Sequence, residues 1–351
     1  MATRSRASRR GRSGRARRAP ASVRGRDTRV DSLRGLVLIA MFVAHCAPSP
    51  GPLRLFNLTE FATAPLFALL IGIGAELGDR GSRGLPAAFV RAGIRAAVLV
   101  ALGLWLETWG AQVDIVLLYL ALPTLLAPLL ARLPVTALAG VATALWASAP
   151  YFMESFGLKA AEAAVRGDQV GARLWNVVFT GTHYRLTTLL VFTCIGIILW
   201  RAMSSVRLNW HIAAAGAFSL LLAAGLMLAK EAGRIDFEPY SGTHLEVAFC
   251  ALLVVGISGV WLGLAPDHVD IPLLSVAGAM TLSVYVVQIG YLAWYVRSYA
   301  PGQPDDSWAN VAILTALGVV LPLLWRSAVP REPLNKGPIE GPTAVLTRIF
   351  H

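Results

Sequence analysis

A succession of long apolar runs constrains this chain more than any other feature. Crossing hydrocarbon takes about 20 mostly apolar residues. Such runs fall near 33–47, 60–78, 87–107, 112–131, 134–152, 185–201, 210–230, 244–264, 272–297 and 308–326. Within a bilayer every backbone N–H and C=O needs a partner inside the protein, so only helices and closed barrels span. These runs are too long and too uniformly apolar for barrel strands. The expected fold is all-α: a polytopic membrane protein of about ten transmembrane helices over residues 30–327, with a short tail at 328–351. Hydrophobic residues make up 56% of the chain and charged residues 15%, against roughly 25% charged in an ordinary soluble domain. That excludes a soluble enzyme, a disordered chain and a secreted disulfide scaffold. No internal repeat is visible.

The formal net charge of +11 belongs to one end of the chain. Residues 1–29 hold 11 of the 31 Lys and Arg and one of the 20 Asp and Glu. This tail has almost no apolar side chain and is expected to be disordered. One reading is nucleic-acid binding. Ahead of a membrane body the favoured reading is a cytoplasmic anchor attracted to anionic lipid, with about 1 kcal/mol per basic residue near the surface. The positive-inside rule then expects a multi-pass protein of the plasma (inner) membrane with both termini cytoplasmic. Arg80, Arg83, Arg91, Arg95, Arg201 and Arg207 fall on the same inner side, while the acidic loop Asp267–His268–Asp270 runs against the rule. The longest loop, 152–184, is expected outside. No apolar stretch closely follows Arg9-Arg10 or Arg17-Arg18, which argues against a twin-arginine signal, and residues 33–45 lack a cleavage site.

Ionisable groups within spanning helices are costly and functional by default. In the first helix Asp31, Arg34, Leu38, Met41 and His45 fall on one stripe at helical spacing. Arg34 and His45 are separated by roughly 16 Å along the axis. The pattern puts an Asp/Arg pair at the inner mouth and an imidazole about two-thirds of the way across. The bland alternatives are a snorkelling interfacial pair and a buried histidine bonded to its neighbours. Toward the outer side lie Glu60, the run Gly181-Thr182-His183-Tyr184-Arg185, and the run Glu238 to Glu246 containing Ser241, Thr243 and His244. Histidines and carboxylates on one side of a membrane suit acid–base chemistry, provided they come within hydrogen-bond reach. In the ninth helix Gly278, Thr281, Tyr285 and Gln288 form a polar stripe, suited either to close interhelical packing or to a tunnel lining.

There is no P-loop, HExxH, GxSxG or CxxC motif, so ATP-driven transport and metalloprotease chemistry have no support. Cys46, Cys194 and Cys250 follow no metal or redox spacing, and no metal is expected.

Five segments in order carry a resemblance: Arg29-Val-Asp31-Ser-Leu-Arg34-Gly35 leading to His45; Phe61 to Gly72 around Pro65; Pro239-Tyr240-Ser241-Gly242-Thr243 followed by Glu246; Gly278 to Gln288; and Gly337-Pro338-Ile339-Glu340 before Arg348. Together the chain resembles the transmembrane acyltransferases that include the heparan-α-glucosaminide N-acetyltransferase group and bacterial YeiB-like proteins. Tyr240 stands where bacterial relatives often have His, and Glu340 lacks the Trp that usually follows. The resemblance implies transfer of an acyl group, commonly acetyl, from cytoplasmic acyl-CoA to an acceptor on the outer side, such as an envelope glycan. It implies Asp31, Arg34, Arg91 and Arg95 at the CoA end, with Thr281, Tyr285 and Gln288 positioning the thioester. His45 would be the base, and Glu60, His183, Arg185, Ser241, Thr243, His244 and Glu246 would form the acceptor site. A homo-oligomer is compatible. A secondary transporter and a non-catalytic membrane scaffold remain as other classes.

Overall fold

The computed structural model describes residues 27–48, 56–79, 84–205, 210–264 and 271–349. The arginine-rich tail up to residue 26 lies outside the described residues, as do Arg80, Arg83, Arg207, Asp267, His268 and Asp270. Among the described residues the structure is helical, with no strand.

Each of the ten apolar runs coincides with a helix: α1 (Thr28–Cys46), α2 (Leu58–Asp79), α3 (Leu85–Glu107), α4 (Leu117–Leu130), α5 (Val135–Val165), α7 (Leu186–Ser205), α8 (Trp210–Glu231), α9 (His244–Leu264), the pair α10 (Pro272–Ala279) and α11 (Thr281–Trp294), and α12 (Trp308–Ala328). A short α6 (Gln169–Trp175) follows α5, and α13 (Glu340–Arg348) closes the chain. Seven of these helices are long and apolar enough to cross a membrane, or eight if the bent α10–α11 pair is one span. α4 has only 14 residues, and α1 carries Asp31 and Arg34 in its opening turns.

Burial sorts the helices into an inner and an outer set. The apolar windows of α2, α7 and α9 are 61%, 67% and 56% buried, those of α5 and α8 only 17% and 22%. Leu221, Leu228 and Leu324 stand exposed on outer helices, as side chains that face acyl chains do. α1 runs through the inner set, with Leu33, Val37, Leu38 and Phe42 fully buried. At one point its backbone meets that of α10. A Cβ added to Gly278 would collide with the Asp31 carbonyl oxygen, and one added to Gly35 with that of Leu274. Gly278 is therefore a packing residue, as small residues at membrane helix crossings are.

Two expectations need correction. The segment 152–184 is not a loop: α5 continues to Val165, and α6 and a π-helical turn at Asn176–Thr180 follow. The run Lys159-Ala-Ala-Glu-Ala-Ala-Val is rich in the best helix former, so nothing stops the helix before Gly167. The ninth helix is not continuous: it breaks at Met280 with an 81° bend. Thr281 Oγ1 bonds the Gly278 carbonyl at 2.7 Å. The stripe on α11 is thus Thr281, Tyr285 and Gln288 alone.

Candidate functional site

α1 carries one end of the site to the other. At its C-terminal end the Gln288 carboxamide of α11 donates through Nε2 to His45 Nδ1 at 2.6 Å. Gln288 is buried, and its Oε1 has no hydrogen-bond partner. One turn back, the buried Tyr285 hydroxyl lies by the Val116 backbone without meeting hydrogen-bond geometry. Asp114, in the α3–α4 connection, is the carboxylate whose charge reaches His45, Tyr285 and Tyr184 alike. The structure therefore joins three predicted residues, His45, Tyr285 and Gln288, in one region.

At the opposite end Arg34 Nη1 pairs with the buried Asp31 carboxylate at 2.9 Å. The Arg34 guanidinium passes Gly74 of α2, and Arg91 reaches the Gly78 carbonyl one turn further at 3.5 Å. Two of the three predicted arginines thus gather along the end of α2, while Arg95 is exposed on α3. Thr281 spends its hydroxyl on the local bond to Gly278.

Near the His45 end a small cleft of about 30 Å³ opens between α2, α7 and α9. Glu60, His183, Arg185 and Glu246 line it together with Tyr184 and Tyr240. His183 Nδ1 pairs with Asp114. Arg185 is 5% exposed; its Nη2 donates to the Tyr240 carbonyl at 2.9 Å and the Thr182 carbonyl at 3.3 Å, and its Nε has no partner. Burial pulls this guanidinium below its usual range. It also pushes the Tyr184 and Tyr240 hydroxyls well above the usual phenol range, so both remain neutral donors. Tyr240 has φ +62°, a region that is an outlier for a bulky side chain and clusters at functional sites. Its ring stands edge-on to His183 and Tyr184 at 5.1 and 5.7 Å.

Not all of the predicted acceptor residues gather here. Thr243 Oγ1 accepts the Glu246 N–H at 3.2 Å, and Glu246 accepts the Gly242 N–H at 3.2 Å, a variant of the capping box that starts a helix. Ser241 rests on Thr243 at 3.1 Å. His244 turns to α5, where its Nε2 donates to the Ala147 carbonyl at 3.1 Å and its ring meets Trp146. These three residues are explained by the start of α9.

The bend at Met280 is held from the C-terminus. Glu340 Oε1 accepts the N–H groups of Leu282 and Ser283 at 2.7 and 2.9 Å, and Oε2 accepts the Ser283 hydroxyl. Glu340 thereby satisfies the opening turn of α11, which has no preceding helix to bond. Gly337 makes the approach possible: its φ is +127°, and a Cβ there would strike the Glu340 carboxylate. Burial raises the Glu340 carboxyl above the usual range.

Among the described residues no three His, Cys, Asp or Glu side chains converge to hold a metal ion. No protein-family model matches the chain, and no curated protein does either.

Proposed function

We propose that this protein is a membrane-bound acyltransferase. It moves an acyl group, acetyl in the simplest case, from cytoplasmic acyl-CoA to a hydroxyl or amine of an acceptor at the outer face of the plasma (inner) membrane. In this reading α1–α5, α7–α9, the α10–α11 pair and α12 make ten crossings, with the Arg34 end inside and the His45 end outside. The contact between His45 and Gln288 carries the reading. It ties the imidazole to the polar face of a bent helix, on the same stripe as a buried Asp/Arg pair about 16 Å away at 1.5 Å per residue.

The chemistry follows from these groups. Arg34 and Arg91 suit the phosphates of CoA, since guanidinium pairs with phosphate in a planar, bidentate way. The acceptor O–H or N–H attacks the thioester carbonyl carbon. His45 takes the proton, the C–S bond breaks, and the CoA thiolate leaves and is protonated. A base needs a free lone pair. With the carboxamide nitrogen donating to Nδ1, His45 carries its proton on Nε2 and acts as a donor. With the carboxamide turned over, Oε1 accepts Nδ1–H and Nε2 becomes the base. The two orientations are nearly isosteric, so Gln288 selects the tautomer. In this reading the Tyr285 hydroxyl, buried one turn away, donates to the oxyanion formed on the thioester oxygen.

The decisive experiment is incubation of membranes holding the protein with labelled acetyl-CoA, followed by a search for labelled glycan, lipid or protein. Acceptor labelling that disappears in His45→Ala, with insertion intact, supports the reading. Equal labelling in that variant, or solute uptake with no labelling, overturns it.

A further inference from the structure

The buried Arg185 points to a charge on the ligand of the outer cleft. A guanidinium buried in protein normally has a carboxylate beside it, because an uncompensated buried charge is costly. Among the described residues no carboxylate lies within ion-pair distance of Arg185; the charge of Glu246, in the same cleft, reaches it only from further off. Its Nη2 is spent on two backbone carbonyls, while Nε, a donor, meets nothing. Arg185 lines the cleft and immediately precedes α7, whose opening turn also lines it through Thr188. The first amides of a helix have no intrahelical acceptor and carry the positive end of its dipole. A buried cationic side chain with an unpartnered donor and a helix N-terminus therefore lie together on one wall.

The opposite wall differs. Glu60 opens α2 at the cleft, and the charges that act on it are Asp306 and Glu238. Glu246 is engaged by the Gly242 amide and the Cys250 thiol. Among the described residues lining the cleft, Arg185 is the cation with an unpartnered donor, and Glu60 and Glu246 are the carboxylates, of which Glu246 is the one whose charge reaches Arg185.

We infer that the cleft between α2, α7 and α9 is an anion-binding site, in which Arg185 Nε and the first amides of α7 hold a carboxylate or phosphate group of the ligand. The small cleft takes the anionic group itself, and Phe61 and Phe192 line the rest of its wall. This deepens the acyl-transfer reading, and rests on it only in making the bound group part of the acceptor. The anion source is a small soluble molecule or a lipid headgroup; both present the same oxygens.

Binding is measured on the full chain without acyl-CoA, so that it does not depend on transfer. The protein is placed in phosphatidylcholine nanodiscs and its thermal midpoint is followed against glucuronate and glycerol 3-phosphate, with glucose and glycerol as neutral counterparts. The expected result is a saturable upward shift with either anion and none with the neutral molecules. Nanodiscs containing phosphatidylglycerol distinguish the source: suppression of the soluble-anion shift there assigns the site to a headgroup, and an unchanged shift assigns it to a small molecule. Arg185→Gln should weaken binding about tenfold or more, as loss of a charged hydrogen bond does, while Arg173→Gln, whose partner is Glu107, should not. If Arg185→Gln fails to fold, Glu60→Gln decides the matter: removal of a carboxylate that lines the same cleft should tighten anion binding several-fold. Equal response to neutral molecules, or a Glu60→Gln variant that binds anions no better, overturns the site. Anion binding in a protein that transfers no acyl group leaves the site standing and removes the acyltransferase reading.

Discussion

Gln288 Nε2 lies 2.6 Å from His45 Nδ1, joining α11 to the last turn of α1. If His45 is the base, His45→Ala should lower transfer by the ~10²–10⁴-fold typical of a positioned acid–base group. Gln288→Leu keeps the imidazole and loses its orientation, so its loss should be smaller, about 10–100-fold. Both are checked by labelled acetyl-CoA turnover at matched membrane content.

The other end of the stripe should separate binding from chemistry. Arg34→Gln removes a partner of the buried Asp31 and one cation from the proposed CoA end. It should raise KM for acyl-CoA by about tenfold with little change in kcat. A fall in kcat at constant KM would instead place Arg34 in the reaction itself. Steady-state kinetics on purified protein distinguish the two.

Two glycine replacements should act with opposite sign. Gly225 of α8 has nothing within 4 Å of an added Cβ, so Gly225→Ala should gain up to ~1 kcal/mol from helix propensity. Gly278→Ala makes the same exchange against the Asp31 carbonyl and should destabilise strongly or prevent folding. Denaturation midpoints in detergent measure both.

Much of this architecture was readable in the sequence because membrane helices report themselves by length and apolarity alone. All ten runs are helices, and the stripe from Asp31 to His45 survives intact. Three features were not readable. The break at Met280 has no proline to announce it; it depends on Glu340, which a local reading cannot place beside Leu282. The Asp114–His183 pair joins two loops far apart in sequence. The hydroxyls of Ser241 and Thr243 looked like ligand groups because capping and binding use the same residue types. Pro239-Tyr240-Ser241-Gly242 reads as a turn, but nothing in it announces a positive φ at Tyr240 as well as at Gly242.

Topology can be tested with the chain's own chemistry. Cys46, Cys194 and Cys250 are buried, so a membrane-impermeant maleimide should label the native protein weakly in intact cells. A cysteine placed at Ser5 should label only after permeabilisation, and one at Glu162, on the far end of α5, without it. The reverse pattern would invert the proposed orientation and remove the basis for the proposed cytoplasmic CoA site.

Glu340→Ala leaves the Leu282 and Ser283 amides unpaired. Each buried unsatisfied donor costs about 1–3 kcal/mol, so the thermal midpoint should drop clearly, with Glu340→Asp intermediate. An unchanged midpoint would show that solvent or another group replaces the carboxylate.

That contact also sets an order of events during biosynthesis. Leu282 and Ser283 leave the ribosome 58 and 57 residues ahead of Glu340. Until residue 340 has been made, the opening amides of α11 lack the carboxylate that holds them in the folded protein. A nascent chain cut short before residue 340 would carry every membrane run and still expose unpaired donors at its bend, where hydrocarbon tolerates them poorly.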